Sequence, residues 1–534
     1  MPDPTRLTRV DGLGVALLFA ATWLYVARFF PFPAPPFEDA AISLRYAQHL
    51  SEGHGMVWNV GERPVDGATD FLFVLLLAGL VKLGASIEPG ARAVGFAAHF
   101  LTAGLVYYAV RTLHGAAGWV ALASGAFLAV GPGLGYVAAY FSTPLFALLA
   151  TLAWILAYRI KKDRGNPRAN AVAFALAGLA LGLSRPEGAL LAAFMMLAIV
   201  VVKGGSATRH ALLCFFGVFV VLGGAYFLWR WNYFGQPLPN PYYRKGGGAL
   251  YFESLLQSVE HGLILSFPFI PAFVLGLRKP SSTTELLFAL IPTGGFTSLW
   301  ILLSGEMNYL MRFQYATLPL VLVSWPGMLQ GIGRDFGLPP FRSLAFRSRI
   351  SLLLTLGTLV LGALGVEHYV YAGAAPKPDG RREVGLVLSE YRRKSFTIAT
   401  SESGLLPYYS RWRSVDTWGL NDRWIAQNGT VTEEYLDRYQ PEMIVMHAYF
   451  SPLVPARGRG RWFDMLMVLK DYAEKRRYVL AACYGFSPYD THYYYVKRDF
   501  PDSEELVRRV RNLDYHWFEN GISAVDYARP GPVR

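Results

Sequence analysis

The sequence has few cysteines and few charged residues. Only two cysteines occur in 534 residues, Cys214 within an apolar run and Cys483 in the polar C-terminal part. Two cysteines in these positions predict neither a disulfide framework nor a thiolate metal site. Charged residues make up 16% of the chain, whereas about 25% is usual for a soluble domain. The scarcity of charge therefore argues against a wholly water-soluble protein.

Apolar residues are correspondingly frequent, and they are unevenly distributed along the chain. Hydrophobic residues make up 53% of the chain and aromatic residues 15%. Long apolar runs with short polar breaks occupy the first part, and from Lys377 onward acidic and basic residues are frequent and nearly balanced. This change predicts a membrane domain at residues 1–375 and a soluble α/β domain at residues 376–534.

Eleven apolar runs predict membrane-spanning helices, some of which need flanking residues to reach the length of about 20 that a bilayer requires. The runs are residues 12–30, 91–110, 116–131, 144–159, 171–184, 188–202, 211–229, 261–277, 285–303, 313–333 and 350–366. A further apolar stretch, Phe71–Leu83, is shorter. It predicts a re-entrant or interfacial segment that does not cross the membrane.

Basic residues are concentrated in alternate loops. Cytoplasmic loops usually carry the excess of lysine and arginine, and a cytoplasmic N-terminus places five basic clusters inside. These are Arg111–His114, Lys161–Arg168, Lys203–His210, Arg278–Lys279 and Arg334–Arg349. With about eleven spans, the C-terminal domain then lies outside the cytoplasm. The position of these basic loops explains the net charge of +12. No pattern of interleaved basic and aromatic residues predicts a nucleic-acid partner.

The opposite loops contain acids and bases that favour one shared site at the outer face. Glu38 and Asp39 are adjacent and follow a proline-rich turn. Such a pair can accept a proton from a sugar hydroxyl or coordinate a divalent metal. The simpler interpretation is that both acids only complement the dipole at the start of a helix over residues 40–50.

The loop around these acids resembles a known family. The segment 38–47 reads EDAAISLRYA, and it is followed by GHGMVWN at 53–59 and VDGATDF at 65–71. This loop resembles the first outer loop of bacterial GT-C glycosyltransferases, especially the mycobacterial terminal arabinofuranosyltransferase family. Further similar blocks follow in order, LSRPEG at 183–188, WR at 229–230, YFG at 233–235, PNPYYRK at 239–245 and GLLPYYS at 404–410.

The sequence also departs from the pattern of that family. Glu38 stands where an Asp is usual, and Glu306 follows Gly305 where Gly-Asp is frequent. The block STPL at 142–145 lacks the Glu of a common GLETPL motif. These changes imply a shift in the donor or acceptor that is recognised.

The resemblance implies a polytopic α-helical GT-C-like membrane domain with a C-terminal α/β extracytoplasmic domain, in a bacterial cytoplasmic membrane. It implies transfer of arabinofuranose or a similar sugar from a polyprenyl-phosphate donor to a glycan or protein acceptor, without a cofactor. Asp39 is the expected catalytic base, with Glu38 as the second candidate, and one displacement would invert the anomeric centre. The expected donor-binding and substrate-binding residues are Arg185, Glu187, Arg230, Asn240, Tyr243, Lys245, Glu306, Arg312 and His54.

Each expected role has a simpler alternative. Cations in outer loops often only reach toward lipid headgroups. Arg185 and Glu187 could pair to rigidify a turn, and His54 between two glycines could serve the loop alone. A transporter of lipid-linked sugars is the alternative function, although charges within the predicted spans are few and no internal repeat is evident.

In the C-terminal part, short β-branched and aromatic runs predict strands and amphipathic runs predict helices. The predicted strands are residues 396–400, 443–446, 479–483 and 493–496, and the predicted helices are 433–439, 462–475 and 503–513.

Overall fold

The computed structural model describes residues 7–29, 34–277, 280–335 and 379–513, together with positions 357, 361 and 364. Its membrane domain is helical. The helices are α1 (Arg9–Phe29), α2 (Glu38–Ser51), α3 (Phe71–Lys82), α4 (Ile87–His114), α5 (Gly118–Ala129), α6 (Gly133–Ala138), α7 (Thr143–Lys161), α8 (Pro167–Ser184), α9 (Glu187–Lys203), α10 (Gly205–Val218), α11 (Gly224–Phe234), α12 (Asn240–Arg244), α13 (Phe252–Ser266), α14 (Ile270–Gly276), α15 (Pro280–Ser298) and α16 (Thr317–Asp335). Short 3₁₀ or π turns extend α11, α13 and α15 into longer helical segments.

Eight helical segments in the described part of the chain are long and apolar enough to cross a bilayer. They are Arg9–Arg28, Ile87–His114, Gly118–Ala138, Thr143–Lys161, Pro167–Ser184, Gly205–Phe234, Phe252–Gly276 and Thr283–Ile301. Each coincides with a predicted run. The predicted runs 188–202 and 313–333 correspond to α9 and α16, and the run 350–366 lies outside the described residues apart from three positions. The chain is a multi-pass membrane protein.

Loops of the membrane domain gather at two opposite faces. The Lys162 ammonium donates to the Leu113 carbonyl at 2.7 Å, and the Lys203 ammonium donates to the Ile160 carbonyl at 3.0 Å. The predicted inner clusters after α4, α7 and α9 therefore meet at one face. The cluster Arg278–Lys279 and most of Arg334–Arg349 lie outside the described residues.

The short helix α3 begins and ends at the other face, where the C-terminal domain lies. Asp70 precedes α3 and pairs with Arg185 at 3.4 Å. Glu88 follows α3 and accepts a hydrogen bond from the Tyr409 hydroxyl of the C-terminal domain at 2.9 Å. A helix of 12 residues is about 18 Å long, well below the hydrocarbon thickness of about 30 Å. Both ends of the segment therefore lie on one side of the molecule, which agrees with the prediction that it does not cross the membrane.

The C-terminal domain is a mixed α/β layer with its own hydrophobic core. The elements are α17 (Arg381–Ser389), β1 (Thr397–Thr400), α18 (Leu405–Ser410), β2 (Arg413–Asp416), α19 (Arg423–Asn428), α20 (Glu433–Tyr439), β3 (Met443–Ala448), α21 (Arg461–Lys475), β4 (Val479–Ser487), β5 (Asp490–Val496) and α22 (Ser503–Arg511). The sheet order is β2-β1-β3-β5-β4. β1 runs parallel to β2 and β3, and β5 runs antiparallel to β3 and β4.

All four predicted strands and all three predicted helices of this domain are confirmed, with small shifts of their ends. Strand β2 was not predicted because its four residues, RSVD, contain a single apolar side chain and carry a charge at each end. The predicted boundary between residues 375 and 376 lies outside the described residues.

The first outer loop is bound tightly to the C-terminal domain. The Arg45 guanidinium is buried and donates to the backbone carbonyls of Pro407 and Trp412. The Asn59 amide exchanges two hydrogen bonds with the Ser414 backbone, at 2.9 and 3.0 Å. The RYA and VWN motifs therefore stabilise the contact between the two domains.

Gly404 lies at the closest point of this contact. Its N–H donates to the Glu38 carboxylate, and a methyl group on Gly404 would overlap the Glu38 backbone carbonyl.

We expect Gly404→Ala to lower the melting temperature and to loosen the C-terminal domain, because overpacking of a tight contact costs about 1–3 kcal/mol. Thermal melts and limited proteolysis in detergent measure both effects. Gly79→Ala is the matched control, since Gly79 lies in α3 with open space around it. An unchanged melt for Gly404→Ala would contradict the tight contact.

Candidate active site

Glu38 and Asp39 form the first turn of α2, and their side chains diverge. Neighbouring residues of an α-helix point about 100° apart. The Asp39 carboxylate pairs with the Arg312 guanidinium at 2.6 Å, whereas the Glu38 carboxylate pairs with Arg381 of the C-terminal domain at 2.9 Å. The two acids therefore belong to different surroundings.

Glu38 is enclosed by the C-terminal domain. Its carboxylate accepts the backbone N–H groups of Gly404 and Leu405, the latter at 3.1 Å. Burial, together with the nearby Glu402 carboxylate, raises the pKa of Glu38 to about 7, although Arg381 opposes the shift. Glu38 therefore connects the membrane domain to the C-terminal domain.

Asp39 is held by one guanidinium. The Arg312 Nη2 donates to Asp39 Oδ2 and also to the Met307 carbonyl at 3.0 Å. The Arg312 guanidinium lies over the Phe141 ring, 4.1 Å from its centroid. Since Arg312 is fixed in this way, it orients the carboxylate, and the other oxygen, Oδ1, has no hydrogen-bond partner in the described part of the chain.

A cavity of about 420 Å³, here called the membrane-domain cavity, lies beside Asp39. Its walls come from α2, the loop before α3 and the loops near residues 186, 241 and 307. The polar lining includes Asp39, Asp70, Arg185, Glu187, Lys245 and Arg312, and the apolar lining includes Ile42, Phe141, Leu190, Leu238, Trp300, Leu302 and Phe313. Leu190 and Leu302 are about half exposed at the surface of the membrane domain, with exposed fractions of 47% and 53%.

Lys245 differs from the two arginines of this cavity. Arg185 is paired with Glu187 at 2.5 Å and Arg312 with Asp39. Lys245 donates to the Glu306 backbone carbonyl at 2.8 Å, and it forms no ion pair among the described residues. Burial lowers the pKa of Lys245, although the nearby Asp39 and Glu306 carboxylates oppose the shift. A lysine without an ion pair in a cavity is suited to an anionic ligand.

A second cavity of about 320 Å³, here called the interdomain cavity, lies between α2 and the C-terminal domain. Its charged or titratable lining is Glu38, Asp39, Glu306, Glu402, Asp416 and His447, and its aromatic lining is Tyr309, Trp418, Tyr449 and Trp462. No lysine or arginine of the described chain lines it. The lining of the membrane-domain cavity therefore contains three acids and three bases, whereas the charged lining of the interdomain cavity is mainly acidic.

The two cavities share four lining residues, Asp39, Ile42, Met307 and Leu420. Asp39 is the only titratable side chain among them. One carboxylate therefore lies between a cavity that contains three cations and a cavity that contains no lysine or arginine of the described chain.

Several predicted site residues line these cavities. Arg185, Glu187, Lys245 and Arg312 meet in the membrane-domain cavity. Glu306 lines the interdomain cavity instead. The pair between Arg185 and Glu187 agrees with a turn-stabilising role, and its place in the cavity wall is also compatible with ligand binding.

Other predicted site residues lie elsewhere. Arg230 forms a buried ion pair with Asp66. The Asn240 amide donates to the carbonyls of Gly419 and Leu420, at 2.9 and 3.0 Å, and so binds the C-terminal domain.

Two further predicted residues also lie outside both cavities. Tyr243 lines neither cavity, whereas its neighbour Tyr242 lines the membrane-domain cavity. His54 is exposed, and its ring lies near Glu52 and His49.

The C-terminal domain contributes residues that the sequence did not single out. Glu402 follows β1, and His447 and His492 lie opposite each other on β3 and β5. The Glu402 and Asp490 carboxylates raise the pKa of His447 to about 10, against the effect of burial. Glu402 could have been singled out from the sequence, because it closely follows a predicted strand. Ligands of α/β sheets bind at the carboxyl ends of strands.

The arrangement of helices and appended sheet is found in solved structures. ArnT from Cupriavidus metallidurans in the apo state superposes with a TM-score of 0.58 at 15% identity, covering 91% of this chain and 98% of ArnT. The archaeal oligosaccharyltransferase AglB from Archaeoglobus fulgidus, in complex with an inhibitory peptide and a dolichol-phosphate, gives 0.52 at 11% identity, covering 94% of this chain and 78% of AglB. The protein has the GT-C fold. The predicted fold class is confirmed.

A mycobacterial protein has the GT-C fold as well. The arabinofuranosyltransferase AftD gives a TM-score of 0.50 at 16% identity, covering 94% of this chain but 41% of AftD. Residues 371–496 match a family described as Domain of unknown function (DUF8728), and these residues include most of the C-terminal domain. No curated protein matches the chain in sequence.

Proposed function

We propose that the protein is a glycosyltransferase that moves a sugar from a polyprenyl-phosphate donor to a hydroxyl group of a glycan or protein acceptor. The observation that carries the proposal is the position of Asp39, the only titratable side chain shared by the two cavities. Two substrates, one in each cavity, would meet at this carboxylate.

The membrane-domain cavity suits the donor. Lys245, which forms no ion pair among the described residues, offers its positive charge to the phosphate, and Arg185 and Arg312 lie in the same wall. The half-exposed Leu190 and Leu302 offer apolar surface to the lipid chain. The likeness of fold to ArnT, which has also been solved bound to undecaprenyl phosphate, supports this class of carrier. The loop motifs and the likeness to AftD support arabinofuranose or a similar sugar.

The interdomain cavity suits the acceptor. Tyr449 and Trp462 offer aromatic surface to a sugar, and the Glu306 carboxylate, which forms no ion pair among the described residues, can accept hydrogen bonds from its hydroxyl groups. A glycan is therefore the acceptor class that this cavity favours.

The reaction follows from the position of Asp39 between the two cavities. The acceptor oxygen attacks the anomeric carbon while the bond from that carbon to the phosphate oxygen breaks. The acceptor proton passes to Asp39 Oδ1, and the polyprenyl phosphate leaves with the bonding electrons, its charge balanced by Lys245. A single displacement of this kind inverts the anomeric configuration.

The decisive experiment measures turnover of a panel of synthetic polyprenyl-phosphate sugars, including an arabinofuranosyl donor, by the purified full-length protein with glycan acceptors. We expect equal amounts of released polyprenyl phosphate and glycosylated acceptor. Movement of intact lipid-linked sugar across vesicles, without release of the lipid, would support a transporter instead.

We also infer that the C-terminal domain lies outside the cytoplasm of a bacterial cell. With Cys214 replaced by Ser, Arg459→Cys should react with a membrane-impermeant maleimide in intact cells. Arg168→Cys, on the face of the basic loops, should react only after permeabilisation. Both residues are exposed, and the reverse pattern would reject the orientation.

A further inference from the structure

A cluster of two histidines and one glutamate lies near the carboxyl ends of β1 and β3 in the C-terminal sheet. His447 of β3 is paired in register with His492 of β5. Glu402 lies two residues beyond the end of β1, which is parallel to β3. The three side chains are distant in sequence, and the sheet order brings them to one point.

The ligand atoms of the cluster are close enough to share one ion. Glu402 Oε1 lies 3.0 Å from His447 Nδ1, and Glu402 Oε2 lies 2.8 Å from His492 Nε2. One atom from each residue can be chosen so that all three lie within 4.8 Å of one another. Ligands of a tetrahedral Zn²⁺, each about 2.0–2.2 Å from the ion, are separated by distances of this order.

Neighbouring carboxylate and guanidinium groups orient the cluster. Asp490 Oδ1 lies 2.5 Å from His447 Nε2. This contact leaves Nδ1 available as a ligand, and a carboxylate that fixes the second nitrogen is typical of metal-bound histidines. Arg381 donates to Glu402 Oε2, so Oε1, which lies against His447 Nδ1, is the oxygen that would bind the ion. His492 is nine-tenths or more buried, and its Nδ1 has no hydrogen-bond partner among the described residues.

The surrounding charges favour a cation. Arg381 is the only arginine or lysine that pairs with the described acids around the cluster, and it contacts Glu38, Asp379 and Glu402. Asp490 adds a fourth carboxylate. Four carboxylates outnumber the one guanidinium even when a proton on His447 is counted, and a divalent ion that displaced this proton would reduce the excess of negative charge.

We propose that Glu402, His447 and His492 bind a divalent transition-metal ion, with Zn²⁺ as the best match. Two imidazoles and one carboxylate suit Zn²⁺ and its neighbours better than Mg²⁺ or Ca²⁺, which prefer oxygen ligands alone. Three protein ligands leave one position open.

The open position would be directed at the acceptor side of the site, because Glu402 and His447 line the interdomain cavity. If the proposed transfer reaction is correct, the ion would bind an acceptor hydroxyl or a water beside it. This role rests on the proposed function, whereas binding of the metal does not.

The test is metal binding by the full-length protein in detergent, purified without a polyhistidine tag and stripped with a chelator. We expect about one Zn²⁺ per chain by mass spectrometry of the bound metal, a Co²⁺ derivative with visible absorption bands, and no competition from excess Mg²⁺. Glu402→Gln and His492→Ala should abolish stoichiometric binding. Asp490→Asn, at a half-exposed side chain, should fold normally and bind about 10–100-fold more weakly.

His54→Ala is the matched control, since it removes an exposed histidine that touches neither cavity. Its zinc content should equal that of the unaltered protein, and a thermal melt verifies the fold of each variant. The proposal is overturned if the stripped protein takes up no Zn²⁺, or if Asp490→Asn and His492→Ala bind it as the unaltered protein does. In that case the cluster is an ion-pair network of His447, Glu402 and Asp490. Because binding is measured without substrate, its failure is distinguishable from failure of the transfer reaction.

Discussion

Asp39→Asn is expected to lower the rate of sugar transfer by about 10²–10⁴-fold, the usual contribution of a general base. The amide is nearly isosteric with the carboxylate and can still accept a hydrogen bond from Arg312, but it cannot accept the acceptor proton. Donor affinity and the melting temperature should therefore change little. The measurement is kcat and donor KM for the purified variant, with a thermal melt as the control for folding.

Glu38→Gln separates this role from that of the neighbouring acid. Glu38 binds Arg381 and the backbone of Gly404, so its amide variant should lose stability at the domain contact and lose less activity than Asp39→Asn. If Glu38→Gln had the larger effect on kcat at an unchanged melting temperature, Glu38 would be the base. Near-native rates in both variants would leave the pair as helix-terminal acids and would remove the basis of the proposed mechanism.

Eight predicted runs match helices long enough to cross a bilayer, and the three predicted helices of the C-terminal domain are present, because the signal for a helix is local. An apolar run of sufficient length predicts a spanning helix wherever it lies. Phe71–Leu83 was predicted to be interfacial from its short length and from the placement of the basic loops on one side. Strand β2 has no such run, and only its parallel pairing with β1 identifies it.

The candidate site was predictable only in part, for a different reason. The alternation of loops places Asp39, Arg185, Lys245 and Arg312 at one face, and they do meet in one cavity. Loop position does not specify the direction of a side chain. Arg230 belongs to a matching motif, yet its guanidinium pairs with Asp66 away from the cavity.

The histidine cluster could not be predicted from spacing. Glu402, His447 and His492 come together because β1, β3 and β5 are neighbours in the sheet. That order depends on the packing of the whole C-terminal domain, which local patterns do not determine.

The positions of the two cavities argue against the transporter alternative. Both cavities lie on the side of the C-terminal domain and share Asp39. Alternating access requires a binding site that opens to each side of the membrane in turn. A site built between the membrane domain and an appended sheet at one face favours an enzyme over a transporter.

Lys245→Ala is expected to raise the donor KM by about 10–100-fold with a smaller effect on kcat. Lys245 is the cavity-lining cation without an ion pair among the described residues, and a hydrogen bond between charged groups contributes about 1.5–3 kcal/mol. Initial rates over a range of donor concentrations, at a fixed saturating acceptor concentration, separate the two constants.

The pH dependence of donor binding provides a second measurement on the same residue. Because burial lowers the pKa of Lys245, its positive charge is lost at a lower pH than that of an exposed lysine. The donor KM of the unaltered protein should therefore rise as the pH increases through the alkaline range. In Lys245→Arg the charge persists, since a guanidinium stays protonated to above about pH 12, and the KM should stay flat over the same range. A KM that rises equally in both proteins would assign the pH dependence to another group, and an unchanged KM in Lys245→Ala would remove Lys245 from phosphate binding.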